Sequence, residues 1–361
     1  MNATTAAIDL AKNVFQVALA DTNARVLEQH RLTRAQFERF FDNRKVARVI
    51  MEACGSAHYW ARVFAARGIE VMLLPAHYVR AYVRRSKTDA ADALALLEAA
   101  RCADIVAVKI KSVEQQSLQA LHRTRSLWMG TRTSRINALR GFCGELGLHV
   151  RVGARTGLEA MARALADDQS AIPGLLHPLM QQLFDEIRVL ETRIAQLERQ
   201  LVQVTRESPA CKLLMSIPGV GLLTATAMVA ATSGSVAHFK SARHFASWFG
   251  LTPKESSSGG SRRLGRISKM GDTYLRMLLT HGARSVIRAA TVAKLKGHEL
   301  LGVRHWVLQL QARSNHNKAA CALANKMARF CYAVLRDHTP FGQPATRLGK
   351  KMQRQSFELT H

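Results

Sequence analysis

The sequence predicts an α/β domain followed by a mainly α-helical region. Short apolar segments alternate with helical patterns over the first part of the chain, and helical periodicity dominates the remainder. We expect three domains within the 361 residues, at 1–110, 111–207 and 208–361. This length allows more than one hydrophobic core.

The first domain begins with three short strands separated by turn-forming Asp and Asn residues. Thr33 then caps a helix, and strands and helices alternate as far as an Ala- and Leu-rich helix that starts near residue 88. The strands are expected at 4–10, 14–20, 24–32, 47–53 and 70–75, with a helix at about 56–67 between the last two. By fold analogy, this order is that of a ribonuclease H-like domain.

The second region is helical and strongly basic from 113 to about 148, and a stretch containing Gly and Pro at 151–178 loosely separates it from a heptad pattern. The heptad seam consists of Leu183, Ile187, Leu190, Ile194, Leu197, Leu201 and Val204. It predicts either a coiled coil or an ordinary amphipathic core helix. A coiled coil would form a dimer or pair antiparallel with the basic helix upstream.

The third region opens with Ile217-Pro-Gly-Val-Gly221 ahead of the small-residue helix 224–231. This pattern is similar to a helix-hairpin-helix element, whose free backbone N–H groups grip phosphates. A simple packing turn explains the glycines equally well.

The net charge of +26 is the dominant property of the composition. Nucleic acid is the expected partner, because Lys and Arg displace counterions from phosphates; a solubility device or a membrane-surface patch are the alternatives. In the basic helix the candidate contacts are Arg123, Arg125, Arg132 and Arg135. Neither a membrane-spanning run nor a signal peptide is visible, and the six cysteines lack metal-binding spacing, so we expect a cytoplasmic protein.

Four carboxylates are candidate metal ligands. Asp9 and Glu52 each interrupt an apolar strand, where an unpaired charge is costly. Asp89 and Asp92 share one face of a helix, although Asp near a helix N-terminus also favours the macrodipole.

Together these acids can hold two Mg²⁺ or Mn²⁺ ions about 4 Å apart, an arrangement that supports phosphodiester cleavage. Lys12 and Lys87 flank the acids and are either phosphate contacts or ordinary surface lysines.

In their local contexts, the four acids resemble those of the DEDD transposases of insertion sequences, a family that includes the Piv/MooV DNA invertases. The second half of the chain resembles the C-terminal transposase domain of that family. The matching motifs are Phe239-x5-Phe245-x3-Phe249-Gly-Leu-Thr-Pro253, Ser256-Ser-Ser-Gly-Gly260, Gly265-Arg-Ile-Ser-Lys269, Gly271, Leu275-Arg276 and Ala322-Leu-Ala-Asn-Lys326 with Ala328-Arg329.

The resemblance implies a RuvC-like N-terminal domain, a coiled-coil segment and a helical transposase domain. It also implies recombination of double-stranded donor and target DNA, guided by an element-encoded bridge RNA. Homodimers that assemble into tetramers, in a cytoplasmic protein associated with the nucleoid, are expected by the same comparison. Base pairing would then carry the sequence information, while the protein reads backbone and shape.

The family also uses a serine as nucleophile, and here that position is Ser257 or Ser258. Counting forward from Pro253 favours Ser258, whereas counting back from Lys269 favours Ser257. Without the resemblance, a flexible glycine-serine loop would be the preferred interpretation. The basic residues that follow are candidate phosphate contacts: Arg262, Arg263, Arg266 and Lys269.

Two other functions remain open from the sequence. A RuvC-like Holliday-junction resolvase or nuclease would use the same acids without a covalent intermediate. A non-catalytic nucleic-acid-binding scaffold would need neither the acids nor the serines.

Overall fold

A computed structural model describes residues 4–83, 89–167 and 169–343 of the chain. The chain divides into two compact units, Met1–Val113 and Glu114–His361. Each unit buries its own hydrophobic clusters. The additional domain boundary expected at 207/208 lies inside the second unit and stays a prediction.

The first unit contains a five-stranded sheet with helices. Its elements are β1 (Thr5–Leu10), β2 (Val14–Ala20), β3 (Val26–Thr33), α1 (Arg34–Phe40), β4 (Arg48–Glu52), α2 (Ala57–Ala66), β5 (Glu70–Leu74), α3 (Ala76–Val79), a 3-10 turn (Arg80–Tyr82) and α4 (Asp89–Ala100). Thr33 caps α1 by accepting from the Gln36 backbone N–H, and the Gln36 side chain accepts in return from the Thr33 N–H. The predicted order is confirmed for the five strands and for α1, α2 and α4, whereas the short α3 and the 3-10 turn were not predicted.

The strand order is β3-β2-β1-β4-β5, with β1 central. Strands β1 to β3 run antiparallel, whereas β4 is parallel to β1 and β5 is parallel to β4. Alternate residues of the central strands face opposite sides of the sheet. Ile8 and Met51 pack in the cluster with α1 and α2, whereas Ala7 and Ile50 pack in the cluster with α4.

The second unit is mainly helical. Its elements are α5 (Val113–Glu145), which begins at the boundary, α6 (Ala154–Ala166), a 3-10 turn (Gly174–Leu176), α7 (His177–Glu207), α8 (Pro209–Met215), α9 (Leu222–Thr232), α10 (Ala242–Trp248), β6 (Pro253–Glu255), β7 (Leu264–Ile267), α11 (Thr273–Leu295), α12 (Gly302–Ala312) and α13 (His316–Asp337). None of the helices in the described part of the chain has both the length and the apolar character that a membrane crossing requires.

Helices α5 and α7 are joined by ion pairs in antiparallel register. Arg125 pairs with Glu198, Arg132 with Glu191 and Arg135 with Glu186. The position on α7 falls as the position on α5 rises, which is the register of an antiparallel pair.

The apolar seam of α7 is buried within this chain. Ile187 packs with Ile136 and Leu139 of α5, and Leu201 packs with Leu118 of α5 and Ala230 of α9. Of the alternatives open from the sequence, these contacts favour antiparallel packing with the upstream basic helix.

Two segments differ from the sequence expectations. The stretch expected to separate the basic helix from the heptads contains α6, whose Met161 is fully buried against α5 and α7 residues. The serine-rich segment lies in a β-hairpin formed by β6 and β7. In both cases Gly, Ser and Arg obscure the local pattern, and tertiary packing or strand pairing determines the structure.

The turn at 217–221 packs closely on α11. A Cβ added at Gly282 would lie 2.2 Å from the carbonyl oxygen of Gly219, so neither backbone leaves room for a side chain there. This close approach gives the glycines a packing role. Whether the turn also acts as a helix-hairpin-helix element stays a prediction.

Candidate active site

The register of β1 and β4 places Asp9 beside Glu52. Ile8 pairs with Met51 in parallel register, and Asp9 and Glu52 are the next residue of each strand. By alternation, their side chains lie on the face of Ala7 and Ile50, which α4 covers. Both side chains are half-buried. Two carboxylates therefore share one face at the carboxyl ends of neighbouring parallel strands, a position where ligands gather in α/β sheets.

Asp92 continues the buried stripe of α4. Ala95 and Leu96, three and four residues later, are buried against the sheet, and Asp92 itself is half-buried. Asp89 is the first residue of α4, one turn before Asp92, but its side chain lies outside the described part of the structure. Asp92 thus lies on the side of α4 that packs on the sheet face shared by Asp9 and Glu52.

Gln16 is a polar neighbour that sequence analysis did not identify. It lies directly opposite Asp9 in the antiparallel pair of β1 and β2, so the two side chains share one face. Ala18 and Ala20 occupy the same face of β2 and are buried. A polar residue in this otherwise apolar alternation is the signal that could have revealed it.

The donor set fits a hard divalent cation better than zinc, because carboxylate oxygens suit Mg²⁺ and Mn²⁺. Neighbouring strands lie about 4.8 Å apart, so side chains on one face of two such strands are close enough to share a ligand. Among the described side chains, no three His, Cys, Asp or Glu groups lie close enough to hold a metal together. The predicted four-acid site includes Asp89, whose side chain is not among those described.

Two lysines flank the acids in the sequence, Lys12 and Lys87. Lys12 is exposed in the turn between β1 and β2, beyond the end of β1 that carries Asp9. Lys87 lies outside the described residues. Their roles as phosphate contacts stay predictions.

The serines lie on an exposed hairpin with a firmly held base. At that base, Ser268 N donates to the Thr252 carbonyl at 2.8 Å, and a guanidinium nitrogen of Arg276 donates to the Phe249 carbonyl at 2.9 Å. A Cβ at Gly250, whose φ is +66°, would lie 2.2 Å from the Met270 carbonyl oxygen. The Phe249-Gly-Leu-Thr-Pro253 segment therefore anchors the hairpin where it leaves the helical core. Residues 253–266 of the hairpin are exposed to solvent.

Within the hairpin, Ser257 and Ser258 have different surroundings. Ser257 Oγ donates to Glu255 Oε1 at 2.7 Å and accepts from the Arg263 backbone N–H at 3.2 Å. Ser258 forms a backbone bridge with Ser261 across the tip.

Glu255 was not singled out by sequence analysis. Hydrogen bonds from Ser257 and from Arg262, whose Nε lies 3.2 Å from Oε1, lower the pKa of its carboxyl group. It is the one acid between residue 208 and Asp272, and that isolation in a basic segment was the available signal.

The candidate phosphate contacts divide into exposed and paired arginines. Arg123 is exposed on α5, as are Arg263, Arg266 and Lys269 on and after the hairpin. The α5 arginines at 125, 132 and 135 are half-buried in their ion pairs with α7, and Arg262 pairs with Glu255. The exposed basic residues are therefore better placed than the paired arginines to contact a polyanion.

A buried histidine, also not singled out from the sequence, links three helices of the second unit. One ring nitrogen of His122 lies 3.0 Å from the Tyr274 hydroxyl, and the other lies 3.0 Å from Thr226 Oγ1. Burial, and secondarily the charge of Arg125, lower the pKa of His122 to about 4. The imidazole is therefore neutral near pH 7, and its hydrogen bonds connect α5 with α9 and α11.

Two family models match this chain. One, described as the transposase IS116/IS110/IS902 family, matches residues 211–297. The other, described as a transposase and named for the DEDD domain of IS110, matches residues 6–145. Between them they include the carboxylates of the first unit and the serine hairpin of the second.

Relatives match over nearly the full length. The "Probable family 20 transposase" of Pseudomonas aeruginosa is 41% identical over 94% of this chain and 98% of its own length. The transposase for insertion sequence element IS1111A of Coxiella burnetii is 36% identical, over 91% of this chain and 88% of its own.

The transposase for insertion sequence element IS1328 of Yersinia enterocolitica is 31% identical over 95% of this chain and 99% of its own length. The matches with these relatives and the two family models extend over both units of the chain. The chain therefore belongs to the IS116/IS110/IS902 family of transposases, enzymes that cleave DNA and transfer its strands.

Proposed function

We propose that this transposase excises and inserts its element as an RNA-guided recombinase. Asp9, Glu52, Asp89 and Asp92 would hold Mg²⁺ or Mn²⁺, and a serine of the β6–β7 hairpin would form a covalent link to DNA. Membership in a transposase family argues against the alternatives of a hydrolytic resolvase and a non-catalytic scaffold.

The observation that supports the proposal is the position of Asp9 and Glu52 at the carboxyl ends of two neighbouring parallel strands. Asp9 and Glu52 directly follow Ile8 and Met51, the last residues at which β1 and β4 pair with each other, and lie on the face where α4 packs. Within the described residues, neither Glu52 nor Asp92 forms an ion pair with a basic side chain. Half-buried carboxylates of like charge repel one another, so a cation is the natural partner.

The residues at the carboxyl ends of β1 and β4 and at the start of α4 would have different roles. Asp9 and Glu52 would hold the divalent ion from two rigid strands, while Asp92 and Asp89 would contribute carboxylate oxygens from α4. A divalent ion held there would stabilise negative charge on the phosphate oxygens and activate an attacking oxygen. Gln16 would orient the carboxylate of Asp9 from the neighbouring strand.

Nucleic-acid binding would rest mainly on the second unit. Residues 208–343 carry 19 Lys and Arg against 4 Asp and Glu, a balance that favours duplex DNA and structured RNA. In the proposed guide mechanism, the bridge RNA selects donor and target DNA by base pairing. The protein would then hold the phosphates through Arg263, Arg266, Lys269 and Arg123.

The proposed assembly is a homodimer that forms tetramers when two DNA duplexes meet. The seam of α7 is buried against α5 and α9 within this chain, so it is not a free dimer interface. We therefore expect the dimer contacts to lie elsewhere on the molecule.

The test is a recombination assay with the full chain copurified with its RNA. Donor and target duplexes are incubated in Mg²⁺, and strand exchange is scored by sequencing the junctions. Asp9→Asn should lower exchange at least about 100-fold, because metal-dependent stabilisation is worth several kcal/mol. Asp42→Asn, an exposed carboxylate paired with Arg67 in the same unit, is the matched control.

Two results would reject the proposal. Strand exchange at the wild-type rate in Asp9→Asn would show that the acids are not required for catalysis. Unchanged strand exchange after ribonuclease digestion of the complex would show that no guide RNA is required. The presence of RNA before digestion is checked by extraction and sequencing.

A further inference from the structure

We infer that Arg31 of β3 binds a backbone phosphate of the DNA strand that is cut, close to the reacting phosphate and on the same sheet face as the carboxylates. This inference rests on the proposed function, which brings the reacting phosphate to those acids. It adds to the site a cation on an edge strand that the sequence analysis did not identify.

A row of polar side chains crosses four neighbouring strands of the sheet. Glu52 of β4 lies beside Asp9 of β1. Asp9 is directly opposite Gln16 of β2, and Gln16 is directly opposite Arg31 of β3. Because opposed residues of paired strands point to the same face, the row leads from two carboxylates through an amide to a guanidinium.

The Arg31 end of this row is open to solvent. Helix α4 packs on β1, β2, β4 and β5, and Ala18 of β2 is buried on the α4 side of the sheet. On β3, both Arg31 and Gln29, the residue opposite Ala18, are exposed. A large ligand that reaches the acids can therefore also reach the guanidinium of Arg31.

Arg31 is a cation without an acidic partner among the described residues. The five strands contain two Lys or Arg residues, Arg31 and Arg48. Arg48 pairs with Glu70 of the neighbouring strand, with Nε 2.9 Å from Oε2. The acid of β3, Glu28, pairs with Arg44 and not with Arg31. An unpaired guanidinium presents a planar set of donors that matches the oxygens of a phosphate.

Gln16 separates this guanidinium from the carboxylates. Neighbouring strands lie about 4.8 Å apart, so the backbones at Asp9 and Arg31 are about 10 Å apart with one strand between them. A guanidinium directly beside Asp9 would pair with it and compete with a metal ion. The uncharged amide leaves the acids available for the metal and Arg31 available for a second phosphate of the same strand.

A charged residue on an edge strand also has a purely structural use, because it prevents pairing with the edge of another sheet. That use needs a charge of either sign. Phosphate binding needs a positive charge, and it is served best by a guanidinium. Substitution of Arg31 by Glu therefore separates the two roles, since Glu keeps an edge charged but repels DNA.

The test uses the full chain with its RNA and donor duplexes that each carry one methylphosphonate, a neutral phosphate analogue, at successive positions flanking the cleaved bond. Wild-type strand exchange at subsaturating DNA should fall about 10-fold at one position, because a hydrogen bond to a charged group is lost. Arg31→Ala should show that loss on unmodified DNA and no further loss at that position. Arg31→Lys should recover part of the rate, whereas Arg31→Glu should not.

The matched control is Arg25→Ala. Arg25 is an exposed arginine of the same unit, in the connection between β2 and β3 at the opposite end of the sheet. This variant should respond to every methylphosphonate as the wild type does. Mn²⁺ affinity should be unchanged in Arg31→Ala, and thermal unfolding of each variant shows that it is folded.

The outcomes separate this inference from the proposed function. Wild-type exchange in Arg31→Glu, or a methylphosphonate pattern in Arg31→Ala that keeps every wild-type position, overturns the inference and leaves the metal-dependent recombinase intact. Wild-type exchange in Asp9→Asn overturns the proposed function itself, whatever the Arg31 variants show.

Discussion

At the scale of single residues, His122 is a buried polar group of the second unit with both ring nitrogens within hydrogen-bond distance of a partner. Its two ring nitrogens contact Tyr274 and Thr226 from helices far apart in sequence, and the residue is 4% exposed. Buried polar groups are stable only when their hydrogen bonds are made, so protonation of this ring in the folded state is disfavoured.

This burial predicts a stability loss in acid. The folded-state pKa of about 4 lies below the ordinary value of 6.5, so the unfolded chain binds the proton more readily. Stability should fall as the pH drops from about 6.5 to about 4 and then level off. The free energy of unfolding is measured by denaturant titration at several pH values for the wild type and for His122→Gln. The variant should show a smaller pH slope, whereas exposed His305→Gln should keep the wild-type slope; equal slopes in all three proteins would contradict the prediction.

Some site residues could be found from sequence and others could not. Asp9 and Glu52 are visible because each places a charge in an apolar strand. Gln16, Glu255 and His122 are not, because their importance depends on strand register or on partners distant in sequence. Local periodicity carries no information about those contacts.

At the scale of secondary-structure elements, α5 and α7 are held by an apolar seam and by three arginine–glutamate pairs. Arg132 is largely shielded, with 18% of its side chain exposed, while Glu191 is 45% exposed. Pairs of this kind contribute little individually, but their antiparallel register is specific. The heptad pattern predicted a helix with an apolar seam. It could not show which helix packs on that seam, because the partner is distant in sequence.

A charge swap tests this register. Glu191→Arg should lower the free energy of unfolding by about 1 kcal/mol, because it places two cations together, and Arg132→Glu should act similarly. The double variant should recover most of the loss. Thermal unfolding at two protein concentrations measures the coupling. Additive losses in the double variant, or a coupling that appears only at high concentration, would contradict an intramolecular pair.

At the scale of the whole molecule, a large excess of positive charge is distributed over folded surfaces. The net charge of +26 is a property of both units, and much of the basic surface of the second unit has no acidic partner nearby in sequence. Composition alone therefore indicated a polyanion as partner. It could not indicate which arginines are exposed, because α7 neutralises several of those on α5.

The exposed arginines should account for part of the salt dependence of DNA binding. The Arg263→Ala, Arg266→Ala double variant should weaken duplex binding and reduce the slope of log K against log salt by about 1 per lost phosphate contact. Fluorescence anisotropy over a KCl series measures this slope. Arg155→Ala, an exposed arginine of α6, is the matched control. A slope that changes equally in the control would show that only net charge matters.

The acids at the sheet edge are the foundation of the catalytic proposal, and Mn²⁺ binding to the full chain tests them most directly. Electron paramagnetic resonance titration should show a high-affinity site that Asp9→Asn and Glu52→Gln each weaken by more than the roughly 10–100-fold typical of outer-shell changes. Asp42→Asn should leave the site intact. Wild-type Mn²⁺ affinity and stoichiometry in both strand variants would contradict a metal site at the ends of β1 and β4.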